Sequence, residues 1–196
     1  MFAKLKSMKQ LLTDPRRQQA PIFCRGMSKK FGKNVVLANV NLEVRPGELL
    51  VLTGPSGAGN TTLMSVLAGL EKPTSGQVTA PGRAARGFIF QDFNLLETLT
   101  IADNIRVAAG LIGKKVTASH TRELLAELGL AGLASRMPHE LSGGQQQRAA
   151  IARVLGADVP YIFADEPTSA LDETNARMVM GLLQDSAHRR ETRKGT

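Results

Sequence analysis

One stretch constrains the fold more than any other: Glu48-Leu-Leu-Val-Leu-Thr53, then Gly54-Pro-Ser-Gly-Ala-Gly-Asn60, then Thr61–Leu70. The first part is an uninterrupted run of β-favouring apolar residues, and it predicts a strand buried on both faces. The last part places Leu63, Val66, Leu67 and Leu70 on one helical face. Between them lies a glycine-rich loop. Strand, glycine loop and helix in this order suit an oxyanion: glycines let backbone N–H groups curl inward, and the helix start adds partial positive charge. The pattern G-x-x-x-x-G-K-[ST] is met at Gly54, Gly59 and Thr61 and broken only at Asn60. An ordinary glycine turn is the alternative, but the flanking strand and helix argue against it. The candidate phosphate contacts are Gly54, Pro55, Ser56, Gly57, Ala58, Gly59, Asn60, Thr61 and Thr62, with the Thr61 hydroxyl suited to magnesium.

Asn60 has a chemical consequence. A lysine at this position reaches the β and γ phosphates as a point charge. Asparagine is shorter and neutral, and keeps only its backbone N–H. A charge-assisted hydrogen bond is worth about 1.5–3 kcal/mol, so its loss predicts nucleotide affinity weaker by roughly ten- to a hundredfold. Hydrolysis is predicted to suffer more, because negative charge shifts onto these oxygens in the transition state.

The rest of the chain reads as further alternation. Pro21–Phe31 is extended, and Val36–Val44 ends as a half-buried strand, with Val40, Leu42 and Val44 against Asn41 and Glu43. Lys72–Gly76 reads as a turn. Arg86–Phe90 is a short strand ending at Gln91. Thr100 with Asp103 resembles a capping box. Thr117–Leu130 and Gln145–Leu155 read as helices, Tyr161–Ala164 as an apolar strand, and Glu173–His188 as the last helix. Strands and helices alternating around a helical insert predict an α/β fold with a mainly parallel sheet flanked by helices.

Three further runs carry chemistry. Asp165, at the C-terminal edge of a strand, is placed to bind magnesium directly or through water. Glu166, next along, can polarise a water as general base. Gln91 can bridge metal and water. Leu141-Ser142-Gly143-Gly144-Gln145 precedes a helix, and Ser142 and Gly144 at that start form another anion site. Taken singly these are a solvated carboxylate, a surface amide and a polar loop.

Together they resemble the ABC-type ATPases over roughly residues 22–187. Leu141–Arg148 is similar to the signature sequence of that family, Tyr161–Asp172 to its Walker B strand, catalytic glutamate and D-loop, and Gln91 to its Q-loop. The resemblance implies a P-loop NTPase-type fold, ATP and Mg²⁺ as ligands, and a metal held by Thr61, Gln91 and Asp165. It also implies that Glu166 and Gln91 act in catalysis and that Phe31 stacks on adenine. It further implies that the signature residues Leu141, Ser142, Gly143, Gly144 and Gln145 act in trans. The working unit is then a homo- or heterodimer with two ATP molecules between its subunits, driving membrane-spanning permease subunits. The run Phe88–Thr100 looks like bacterial exporters of antimicrobial peptides, macrolides and lipoproteins.

Composition sets the remaining bounds. With 196 residues and 42% apolar content, the chain fits one globular domain. The net charge of +8 sits at the ends: Lys4, Lys6, Lys9, Arg16 and Arg17 against Asp14, and Arg189, Arg190, Arg193 and Lys194 against Glu191. The middle is close to neutral, so no nucleic-acid partner is expected; a DNA-repair or chromosome ATPase also requires a longer insert than this chain has. Phe2, Leu5, Met8 and Leu12 recur at helical spacing among lysines, which suits either a helix lying on an anionic membrane or a solvated extension. Cys24 reads as a small core residue, and His120, His139 and His188 have no metal-ligand spacing. The expected organisation is a basic extension over 1–20, a nucleotide-binding domain over 21–188 with its helical insert about 92–157, and a charged tail over 189–196. The expected location is cytoplasmic, peripheral on the inner face of the membrane. The family continues past the last helix into a strand ending in a switch histidine. No such strand follows here, so the C-terminal strand and helices of the family fold are expected to be missing. Together with Asn60 this predicts impaired hydrolysis, or a degenerate ATP-binding module.

Overall fold

The computed structural model describes residues 21–45, 48–52, 54–55 and 57–192. The basic segment 1–20, Pro46, Gly47, Thr53, Ser56 and residues 193–196 lie outside them. The chain divides into two compact units, Met1–Ala85 with Ala187–Thr196, and Arg86–Ser186.

The first unit is built on an antiparallel sheet in the order β2-β1-β3, with β1 at Ile22–Phe31, β2 at Asn34–Val44 and β3 at Ser75–Thr79. β1 buries Ile22 and Cys24, then shifts phase at a bulge and buries Met27 and Lys29. Cys24 is thus the core residue its type suggests. β3 starts inside the stretch whose composition reads as a turn. Gly76 and Gln77 have weak strand preference, and pairing along β1 (Phe23 with Thr79, Cys24 with Val78) decides the matter.

Two expectations are corrected in this unit. The apolar run Glu48–Leu52 carries no strand; Leu49, Leu50 and Val51 are 44%, 41% and 59% exposed. A strand buried on both faces takes its hydrogen bonds from neighbours, and neither sheet includes this run. Helix α1 spans Asn60–Leu67, three residues short of the predicted end. Gly69, at φ 69°, ends it: Gly69 N donates to the Val66 carbonyl (3.0 Å) and Leu70 N to that of Ser65 (2.9 Å), a glycine-terminated helix end that turns Leu70 outward.

The second unit contains the parallel pair β4 (Arg86–Ile89) and β5 (Tyr161–Ala164), in register from Arg86 with Tyr161 to Ile89 with Ala164. Four helices accompany it: α2 (Ile101–Gly110), α3 (Ala118–Glu127), α4 (Gly143–Gly156) and α5 (Glu173–Thr192). Thr100 caps α2 by accepting from Asp103 N, as the sequence predicts, and Thr117 caps α3 through His120 N. α5 passes through His188 as helix. α4 buries Ala149, Ala150, Ile151, Ala152 and Val154 in one apolar cluster with Ile101, Ile105, Leu124, Leu125 and Val179. Small residues let its neighbours approach closely: a Cβ on Gly156 would lie 2.6 Å from Ile105 Cγ2. Among the described residues no helix is long and apolar enough to cross a membrane.

Candidate functional site

The phosphate loop closes as its sequence requires. Ala58 N donates to the Pro55 carbonyl (3.0 Å), and Gly57 and Gly59 take φ of 82° and 91°. Only glycine adopts such angles without strain. Gly59 is the N-cap of α1 and makes no side-chain cap, the kind of helix start at which oxyanions bind. The carboxamide of Asn60 folds back over the loop; a Cβ on Gly54 would lie 3.4 Å from its Nδ2. The side chain standing where the pattern has lysine is therefore a neutral amide lying beside Gly54. Ser56 lies outside the described residues. Pro55, Gly57, Ala58 and Thr61 are exposed, and Thr62 is half-buried.

Phe31 ends β1 with 49% of its surface exposed. The Lys29 ammonium sits over its ring, 4.7 Å from the centroid.

In the second unit the parallel pairing does the positioning. β4 and β5 run side by side to Ile89 and Ala164, and Asp165 N still donates to the Ile89 carbonyl (2.9 Å). Gln91 and the Asp165-Glu166 pair therefore leave the same C-terminal edge, where ligands bind in open α/β sheets. Asp165 is half-buried, while Gln91 and Glu166 are exposed. Glu166 holds φ 48°, an uncommon angle for a non-glycine residue. Its carbonyl accepts from both Ser169 N (3.1 Å) and Ser169 Oγ (3.0 Å), which over-determines the turn.

The signature turn is a helix cap in its own right. Ser142 Oγ accepts from Gln145 N (3.4 Å) and Ser142 N donates to Gln145 Oε1 (2.9 Å), a reciprocal capping box that starts α4. A Cβ on Gly144 would lie 3.3 Å from the Ala170 carbonyl oxygen, so the turn packs against the loop that follows Asp165 and Glu166. Leu141 is buried and Gly143 exposed. A polar chain secures this pairing: Arg148 donates to Asn175 Oδ1, and Asn175 donates from its N (2.8 Å) and Nδ2 (2.6 Å) to the two Asp172 oxygens. The Asn175 N–H holds the Asp172 carboxyl below its usual range, with further help from the Asn175 side chain.

Some positioning residues escape sequence reading. Arg153 of α4 donates to the carbonyls of Phe93 (3.2 Å) and Asn94, which hold φ of 59° and 51° two and three residues past Gln91. Burial lowers the pKa of its guanidinium. Buried Asn104 accepts from Leu96 N (2.8 Å) and donates to the Leu96, Leu99 and Thr100 carbonyls (3.1 Å each). A half-buried arginine and a buried asparagine thus pin the segment after Gln91. Neither stands out in the sequence, because arginine and asparagine in helices are ordinary surface residues. Lys29 carries a signal: its position continues the buried face of β1.

Thr61 in the first unit, and Gln91 and Asp165 in the second, each carry a hard oxygen donor of the kind magnesium takes. The left-handed glycines give the loop the tight curl that suits a phosphate chain.

Against known proteins, the family model described as ABC transporter matches residues 37–169. An uncharacterised ABC transporter ATP-binding protein of Methanocaldococcus jannaschii is 40% identical over 169 residues, covering 78% of this chain and 75% of that protein. The L-cystine transport system ATP-binding protein of Escherichia coli is 37% identical, covering 87% of this chain and 77% of its own length. The macrolide export ATP-binding/permease protein MacB of Campylobacter jejuni is 39% identical over 83% of this chain, which spans 28% of that protein. A dimeric ATP-binding cassette in a post-hydrolysis state, bound to ADP and Pi, superposes with a TM-score of 0.74 at 33% identity over 85% of this chain and 84% of that one. The P-loop NTPase-type α/β expectation is thereby met. The chain belongs to the ABC transporter family, and within it to the nucleotide-binding domains.

Proposed function

We propose that this chain is the ATP-binding subunit of a transporter, lying on the cytoplasmic face of the membrane and bound to permease subunits. The observation that carries the reading is the phosphate loop itself, with Gly57 and Gly59 left-handed and a glycine, which offers no side-chain cap, at the start of α1. ATP lies along the loop from Gly54 to Thr62 with its adenine against Phe31. Thr61, Gln91 and Asp165 would hold magnesium, which would supply charge neutralisation on the phosphates. Glu166 takes the proton of the attacking water, and Gln91 orients that water. The signature residues Leu141 to Gln145 of a second copy, or of a related subunit, close over the nucleotide. Export is the direction supported by the Phe88–Thr100 run; the relatives themselves include an L-cystine transport system and a macrolide exporter.

Asn60 makes hydrolysis slow. Its amide donates to the phosphates but brings no charge to offset the negative charge gathering in the transition state. A second reading, an ATP-holding module that does not turn over, draws on the same residue.

The test is ATP binding and phosphate release by the purified chain with magnesium, before and after Asn60→Lys. The transporter reading expects ATP binding by the native chain, slow release, and a gain of roughly tenfold or more in affinity and rate with lysine. Binding with no release in either form favours the module. If neither form binds ATP, the nucleotide reading is wrong.

A further inference from the structure

The first unit holds a cation at a place no nucleotide motif assigns. Lys29 lies on the inward face of β1 with its side chain 11% exposed. A buried ammonium needs partners. It donates to Glu71 Oε2 at 2.8 Å and to the Lys72 carbonyl at 2.9 Å, which engages two of its three N–H groups. The same nitrogen stands over the Phe31 ring, 4.7 Å from the centroid. That is the range in which a cation is drawn to an aromatic face.

This arrangement fixes two things. One face of the Phe31 ring is taken by the ammonium, so a single face is left for a flat ligand, and the ring is held in one orientation despite its exposure. Glu71 and Lys72 lie just past the exit of α1, whose first residue, Asn60, belongs to the phosphate loop. The helix is eight residues long, or roughly 12 Å at 1.5 Å per residue. Lys29 therefore ties the aromatic platform to the far end of the element that carries the phosphate contacts.

We propose that Lys29 is a positioning residue for the base: pinned by Glu71 and Lys72, it orients Phe31 so that a purine ring and a phosphate chain are held at a fixed separation. The inference rests on the nucleotide reading above. Lys29 touches no ligand itself. Its action is on base recognition and leaves phosphate binding alone.

The experiment compares two ligands, Mg·ATP and inorganic tripolyphosphate with magnesium, by titration calorimetry on the full chain. Lys29→Met is expected to weaken ATP binding about fivefold to tenfold, the scale of a partly desolvated cation–aromatic contact, and to leave tripolyphosphate affinity unchanged. Lys29→Arg, which keeps the cation, is expected to restore most of the ATP affinity. Glu71→Gln loosens the same ammonium from the surface side and is expected to show the same split in weaker form, which keeps the test available if the methionine variant folds poorly. Equal losses for both ligands would mean a merely structural lysine and overturn the proposal, as would no loss for either. Phe31→Ala separates the two readings. If it keeps the full preference for ATP over tripolyphosphate, the platform and this inference fall while the phosphate loop stands. If the native chain binds neither ligand, the nucleotide reading itself fails.

Discussion

Gly59→Ala probes the phosphate loop where geometry sets the size of the effect. Gly59 holds φ 91°, so an alanine there carries the left-handed strain of an L-residue, about 1–2 kcal/mol. Its Cβ would also lie 3.0 Å from Leu37 Cδ2, 3.1 Å from Val36 Cγ1 and 3.2 Å from the Val36 carbonyl oxygen. The backbone oxygen of β2 cannot step aside as a side chain can, and crowding of this kind costs about 1–3 kcal/mol. The expected loss is their sum, about 2–5 kcal/mol, a large part of a domain's total stability of about 5–15 kcal/mol. Gly57→Ala is the internal control. It has the same strain at φ 82° but nothing within 4 Å of the added carbon, so it keeps only the first contribution, about 1–2 kcal/mol. Urea unfolding followed by circular dichroism gives both values, and ATP titration of each variant shows whether the loop still presents its amides. Gly59→Ala is expected to be the less stable of the two and to bind ATP at least tenfold more weakly than the native chain. Equal stability for the two variants would refute the packing argument. Native stability and native ATP affinity in Gly59→Ala would refute the claim that the left-handed turn builds the site.

Two further outcomes follow from the second unit. Gly156→Ala forces a methyl to within 2.6 Å of Ile105 Cγ2 and should destabilise the α2–α4 packing by about 1–3 kcal/mol, read as a lowered melting temperature. Asp172, whose folded pKa is depressed first by the Asn175 N–H, contributes stability that is present above the ordinary carboxylate pKa and lost as pH falls through its lower folded value; stability measured across the acid range should flatten there in Asp172→Asn.

Much of the chemistry could be read in advance because it is carried by local patterns. Glycine spacing placed the phosphate loop, since only glycine reaches the angles that Gly57 and Gly59 hold. The cap at Thr100 is likewise a property of a few neighbouring residues; the cap at Thr117 and the capping box beneath the signature turn are as local but went unread. Residues 48–52 are the counter-example: apolar and β-favouring, they form no strand, because a strand is completed by its neighbours and not by its own composition.

What the sequence determined by itself was the set of groups and their local geometry: loop, caps and carboxylate pair. What the tertiary structure decided was which distant groups meet. Parallel pairing of β4 with β5 brings Gln91 and Asp165 to one edge across some 70 residues of chain. A bulge in β1 turns Lys29 inward toward Glu71, and Arg153 reaches back to the carbonyls of Phe93 and Asn94. The physical reason is that a buried charge or strained carbonyl needs a partner from wherever the fold supplies one, and residue type alone does not name that partner.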